Sequence, residues 1–576
     1  MATAVAAAMA VAATSIAIGF LTDDHAFRAA LHSTSDRAPA AYDLFRFVPG
    51  DPAENQLRIR VGHLPWWSAS DLRIHFLRPL TSLTFAATDW VFGDAPLGHH
   101  LVSLAWYLAL LLAAAVGFRR LLPPAAATLA VAVFGLSAAH VEGYAWISAR
   151  HVVIAGALVA AALAARGSRH RWLAPGLLVA ALASSEAALA VAPLWIAVEL
   201  SATARPWRAR LLACLPVAAL SLGYLVAYAA LGGGTRSSGG YHDPLADPLG
   251  FAVLAAIRVP LLLGDAALGI PAELAHVVAE WRLGLVGVGA IGIIGLAWWL
   301  TGDRAGGAAV AMPASTTGEP ASGAGQARTI VWLAAGGIGA TVLGAAGYPA
   351  GRVLVIPDLA FAPLIGMLLY RGVAARWPGR VVVAALAVLH LVIAPVAAAR
   401  SIRGLAQRAR ATESLAAGLV PLVPRSGRVF VVAASDPMVY IYPRGILADV
   451  APGVVRCWSV WSAARAGHRV TRTGARTLVL EPLERTLLQD SFDELYRAPG
   501  RPFAVGDSAE QCGATIRVVA VRAGRPSRLE VELRRSLDDP EVLLLVWRDH
   551  QLVRFTPPRV GETVELPWSS GPSRVL

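Results

Sequence analysis

Apolar runs separated by short polar or arginine-bearing loops fill the first four hundred positions of the chain. They predict membrane helices at about residues 3–20, 99–118, 125–142, 151–166, 172–184, 187–202, 209–231, 283–302, 329–347, 353–370 and 381–399. The count is about eleven. No positive residue precedes the first run and its first charges, Asp23 and Asp24, lie beyond it, so it reads as a membrane helix rather than a cleaved signal peptide. The two runs around Ser185-Glu186 are shorter than the roughly 20 residues of a full crossing and form a candidate helical pair within the membrane. The stretch after Pro248, interrupted by Arg258, Pro260 and Asp265, suits a re-entrant or an interfacial helix.

Residues 21–76 are too charged for hydrocarbon and form a first large outer loop. Residues 77–94, opening with Arg78-Pro79, read as a helix lying at the interface. If they crossed, Arg119 and Arg120 would fall on the side of Asp23, against the tendency of arginine to stay cytoplasmic. With the interfacial placement, Arg119 and Arg120, then Arg166, Arg169 and Arg171, then Arg205, Arg208 and Arg210 share the cytoplasmic face. The Gly-, Ala- and Ser-rich piece from Gly302 to Arg328 reads as a flexible linker. Beyond about residue 405 come short β-rich runs such as RVFVVAA and RLEVELRR, the second alternating like a half-exposed strand. The expected fold is therefore a polytopic α-helical membrane domain over 1–404 and a soluble α/β or mostly β domain over 405–576, outside the cytoplasm.

Composition agrees. Hydrophobic residues make up 56% and charged residues 15%, against about 25% charged in soluble domains. That excludes a soluble enzyme, a disordered chain and a disulfide scaffold. All 50 basic residues are arginine, against 38 acids, for a net charge of +12. In a soluble protein this would suggest nucleic acid. Here cytoplasmic loops account for it and no nucleic-acid partner is expected. Cys457 and Cys512 are the cysteines of the tail, and a tail in an oxidising compartment would let them form a disulfide.

Ionisable groups near hydrocarbon are costly and usually functional. They cluster at the non-cytoplasmic helix ends: Asp23-Asp24-His25, Arg78, the group His140, Glu142, Arg150 and His151, then Arg352, with Glu186 as a fifth place. Carboxylates beside arginines suit a reaction in which a base removes a proton and cations hold an anionic leaving group, for which a lipid phosphate is the obvious anion. The plainer alternative is that these arginines meet lipid head groups and pair with loop acids.

In order, TDDHAF, FLRPLTSLTF, FGDAPLGHHLVSLAW, HVEGYAWISAR, ASSEAALAVAPL and GRVLVIPDLAF resemble GT-C membrane glycosyltransferases. The likeness covers about residues 1–400 and is greatest to the O-mannosyltransferase branch with its tetratricopeptide-repeat-containing members and bacterial relatives. The resemblance implies a polyprenyl-phosphate-linked sugar donor, inverting transfer outside the cytoplasm to a protein, lipid or glycan acceptor, and a first-loop acid as base. On this chain that acid is Asp24 or Asp23, with Glu142 as the rival. Arg78, Arg150 and Arg352 would bind the donor phosphate, and His140, Glu142, Glu186 and Trp66 the acceptor or the sugar. Ser185-Glu186 stands where relatives often have Lys-Glu, and no tetratricopeptide repeats follow the membrane part.

His99-His100, or His25 with His140 and Glu142, have the donor chemistry for a divalent metal, but no pair has helical i, i+4 spacing, so no metal or other cofactor is assigned. Trp66 and Trp67 could stack on a sugar or simply favour the interface. Asp436 reads as a turn residue. The rival functions are a flippase for a lipid-linked sugar, which usually shows paired halves absent from this sequence, and a non-catalytic envelope scaffold.

Overall fold

The computed structural model describes residues 1–35, 38–202, 205–302, 323–434 and 436–570, so most of the expected linker lies outside the described residues. Among these, six helices are long and apolar enough to cross a membrane: Pro96–Leu121, Ile147–Arg166, Trp207–Ala230, Pro248–Leu268, Glu280–Thr301 and Trp377–Leu422. Two bent pairs raise the number to eight. In one, Ala2–Ala17 meets Thr22–Leu31 at 66°, and in the other, Pro124–Gly135 meets Ala138–Ala145 at 47°. The remaining expected runs are helical but short, namely Arg171–Ser184, Val191–Ser201, Arg328–Gly344 and Asp358–Gly372. By length, then, five of the roughly eleven anticipated helices are full spans, or seven with the bent pairs, and the sixth long helix, Pro248–Leu268, is not one of those eleven. The chain is a polytopic helical membrane protein followed by a C-terminal α/β domain.

The shortening has a local cause. Tight 3-10 turns occupy Ala138–His140, Ile147–Arg150, Glu186–Ala190 and Gly351–Leu354 at the helix ends where the polar residues gather. Such turns complete a helix end with i to i+3 bonds and re-aim its side chains. At one of them Ser185 caps the turn by accepting from the Ala187 amide at 3.2 Å.

The two ends of the bundle are distinct. At one, Arg166 binds Glu199, Arg205 lies 3.6 Å from the same carboxylate, and the Arg120 guanidinium meets the Ala164 carbonyl. These are the expected cytoplasmic arginines. At the other, here called upper, strands Arg46–Pro49, Arg73–His75 and Gly234–Arg236 form a small antiparallel sheet, and the His242 amide donates to the Ala346 carbonyl at 2.9 Å. Pro248–Leu268 starts from this layer. The chain after it returns there, since Glu273 accepts from the Gly351 amide at 2.6 Å and the His276 ring stacks on Phe492 at 5.5 Å. Both ends of this path thus contact the upper layer, although the helix has the length of a span. The segment 77–94 forms the helix Pro79–Phe92, too short to cross.

The last apolar helix continues through residue 405 to Leu422 and leads into two sheets. One has four strands, Gln551–Arg554, Leu543–Arg548, Arg428–Ala433 and Cys457–Val460, the last three parallel. The other has six antiparallel strands built on the hairpin Ala514–Arg522 with Arg525–Leu533. They share one apolar core with Trp461, Leu480 and Val531. Cys457 and Cys512 are joined by a disulfide that closes 55 residues, and Cys214 is free.

Denatured protein should therefore label one thiol without reductant and three with it. Cys457→Ser should destabilise the C-terminal domain by about 3 to 4 kcal/mol, as for a loop of this length. Equal labelling in the two conditions would contradict the bridge.

Candidate active site at the upper end of the bundle

The helix Thr22–Leu31 turns away from the first span and packs its Ala26 against Gly445 in the helix Pro443–Val450 of the C-terminal domain. Its adjacent acids diverge. Asp24 is fully buried and accepts from the Leu21 amide at 2.9 Å and from the Ser148 amide at 2.7 Å, so both of its oxygens serve the backbone. Asp23 is half-buried, with no hydrogen bond or ion pair among the described residues. Burial and the neighbouring Asp24 charge push its carboxyl up to about 7, with Arg352 opposing. Of the two expected bases, Asp24 is a structural carboxylate, whereas Asp23 is poised to titrate near neutrality.

Two arginines act on Tyr241, and one of them, Arg352, also acts on Asp23. Arg78 grips Glu186 with Nε at 2.8 Å and also with Nη2, while its guanidinium lies over Phe45 and Phe76 at 4.6 and 4.7 Å. Arg352 binds Glu142 through Nη1 and lies 5.8 Å over Trp146. Each pair joins segments more than a hundred residues apart and, among the described residues, leaves guanidinium N–H groups uncommitted: Nη1 of Arg78, and Nε and Nη2 of Arg352. Glu142 and Glu186 thus hold cations in place.

Three tyrosines complete the enclosure. Tyr241 feels the charges of Arg352, Arg78, Asp23 and Glu186, and Tyr442 and Tyr496 both feel Asp23. Burial raises all three phenols above their ordinary range, so they remain neutral hydrogen-bond donors at physiological pH. Tyr442 and Tyr496 belong to the C-terminal domain. Nothing in their local sequence marks them. The one available sign for Tyr241 was its place in the Gly-rich loop GGGTRSSGGYHDP.

Three anticipated site residues lie elsewhere. Trp66 is buried in the core of the C-terminal domain, where its indole N–H donates to the Trp461 carbonyl at 3.1 Å and its ring packs on Trp67 and Phe503. It has no free face for a sugar. His140 turns from Glu142 into the bundle, its Nε2 2.9 Å from Asp358 and its ring against Phe134. Arg150 is fully buried, 5.4 Å over Phe85, with a 3.5 Å contact to Thr88 and no exposed atom to offer a donor. Among the described residues no three His, Cys, Asp or Glu side chains converge as metal ligands.

No protein-family model matches this chain, and no curated protein is similar to it. Among solved structures it is similar to the crystal structure of ArnT from Cupriavidus metallidurans bound to undecaprenyl phosphate. The identity is 11% and the TM-score 0.36, over 92% of this chain and 97% of that one. A likeness at this level assigns neither fold nor chemistry.

Trp66→Ala should lower stability by about 3 to 5 kcal/mol, as for an aromatic lost from a core, while the folded fraction keeps its affinity for substrates. A stable variant with weakened substrate binding would return Trp66 to the site.

Proposed function

We propose that this chain is an integral membrane glycosyltransferase of GT-C type. It moves a sugar from a polyprenyl-phosphate carrier onto an acceptor, with inversion, on the non-cytoplasmic side of a bacterial cell membrane. The observation that carries the reading is the setting of Asp23, a half-buried carboxyl without a direct partner, facing Arg352 under a rim of tyrosines. The six sequence pieces that resemble the GT-C family in order support it.

Chemically, inversion needs a base on the sugar face opposite the leaving group. Asp23 takes the proton of the acceptor hydroxyl as its oxygen attacks the anomeric carbon, and the carbon–oxygen bond to phosphate breaks. The prenyl phosphate departs as an anion, so it needs cations rather than a general acid. Arg78 and Arg352 supply them through the N–H groups that Glu186 and Glu142 leave uncommitted. Arg150 acts behind this layer, its charge facing Asp24.

A base with a pKa of about 7 is active when deprotonated. Transfer at low substrate should rise with pH up to about 7 and level off above it. Asp23→Asn should lose about 10²- to 10⁴-fold in turnover, whereas Asp24→Asn should chiefly lower stability. The test is sugar transfer by folded Asp23→Asn, Asp24→Asn and Glu142→Gln proteins. Loss of turnover in Glu142→Gln alone would make Glu142 the base.

A further inference from the structure

The C-terminal domain has a cleft that the transfer step leaves unused. It is a small cleft open to solvent, and its walls come from Leu488, from Asp493, Glu494 and the stretch Arg497–Phe503, from Ala523 to Arg525, and from Trp67 in the first long loop. Three arginines line it, and two of them have carboxylate partners. Arg525 meets Glu494 at 2.7 Å, and Arg501 holds both oxygens of Asp71 at 2.7 and 2.9 Å. Arg497 has none. Its Nε donates to the Arg501 carbonyl at 2.8 Å and its guanidinium lies 4.0 Å over the Phe503 ring, which fixes the side chain without neutralising it.

Two further features distinguish this cleft from an ordinary surface groove. Trp67 is 1% exposed, and its indole N–H has no acceptor. A buried donor left unmet costs roughly 1 to 3 kcal/mol. Asp493, buried beside it, accepts from the Tyr440 hydroxyl at 2.9 Å. An unneutralised arginine, an unmet indole donor and carboxylates able to accept from hydroxyls suit a ligand rich in oxygen with at least one negative charge.

We infer that this cleft binds an anionic sugar unit of the acceptor, a sugar bearing a carboxylate or a phosphate. The inference rests on the reading of Asp23 as the transfer base. Tyr496, which feels the Asp23 charge, directly precedes Arg497 in the chain, so one short segment borders both the cleft and the base. The same segment is tied to the membrane domain. The Tyr496 carbonyl accepts from the Ala69 amide at 2.9 Å, the Glu494 carbonyl from the Gly239 amide at 2.7 Å, and the Ser491 carbonyl from the Tyr348 hydroxyl at 2.9 Å. Arg497 takes the anionic group of the acceptor, and the neighbouring sugar hydroxyl is presented beneath Tyr496 to Asp23.

The test measures binding of tetragalacturonate, glucose 6-phosphate and neutral maltotetraose to the full-length detergent-solubilised protein at low salt. At least one anionic probe should bind ten-fold or more tightly than maltotetraose, and which one does so separates carboxylate from phosphate recognition. Arg497→Gln should weaken that binding at least five-fold, Arg497→Lys should recover part of it, and the probe should slow amide exchange across residues 491–503. Absence of binding by both anions, equal binding of maltotetraose, or unchanged affinity in a folded Arg497→Gln protein would each overturn the inference. Asp23→Asn separates the two readings. It should bind the probe normally while failing to transfer sugar, and normal transfer by that variant would remove the proposed base without altering the binding result.

Discussion

A charge beside hydrocarbon must be paired, and the upper end of this protein is organised by that requirement. Arg78 with Glu186 joins the start of the helix Pro79–Phe92 to the turn between two short helices, and Arg352 with Glu142 joins a late turn to an early one. Arg28 reaches Asp89 at 3.0 Å and Asp449 of the C-terminal domain at 3.2 Å, with Asp94 as a third partner. The Arg28 pairs with Asp89 and Asp449 are buried on both sides, and breaking such a pair from one side costs roughly 3 to 5 kcal/mol because the surviving charge is left uncompensated, whereas the partly exposed Arg78–Glu186 and Arg352–Glu142 pairs cost less. The pairs therefore bring remote segments together at one place. Two groups stand outside these pairs among the described residues: Arg150, fully buried with no carboxylate partner, and Asp23, a carboxyl held near charge and partly out of water, the kind of perturbed group that makes a functional-site candidate.

The 3-10 turns serve the same requirement. A helix that continued regularly to the membrane surface would carry His140, Glu142, Arg150, Glu186 and Arg352 around its circumference, some of them toward lipid. Ending the helices in tight turns points Glu142, Glu186 and Arg352 into shared space and sends His140 and Arg150 inward. The C-terminal domain then closes that space with Tyr442 and Tyr496, so the enclosure depends on two parts of the chain that differ completely in composition.

Much of this was legible in the sequence, since hydropathy fixes which stretches are helical and arginine placement sorts their ends. The partnership of cysteines 457 and 512 followed from their being the two in the tail. Other features depend on three-dimensional facts with no local trace. Asp23 and Asp24 are chemically identical neighbours, and their roles separate only when the helix Thr22–Leu31 is oriented by its capping bonds and its packing on the C-terminal domain. Trp66 has the composition of an interfacial stacking residue but is claimed by the core around Trp461. The H-x-E spacing of His140 and Glu142 suggests one joint site, yet two residues along a tight turn face opposite ways. Tyr241, Tyr442 and Tyr496 are distant in sequence and converge only through tertiary structure.

If Arg78 and Arg352 hold the phosphate of a prenyl carrier, the carrier should survive gentle extraction with the protein. Native mass spectrometry of the detergent-purified chain should then show an added mass equal to a prenyl phosphate, reduced or absent in a folded Arg78→Gln, Arg352→Gln double variant. A wild-type protein that binds no prenyl phosphate even when the lipid is supplied, or a double variant that retains it fully, would contradict the assignment.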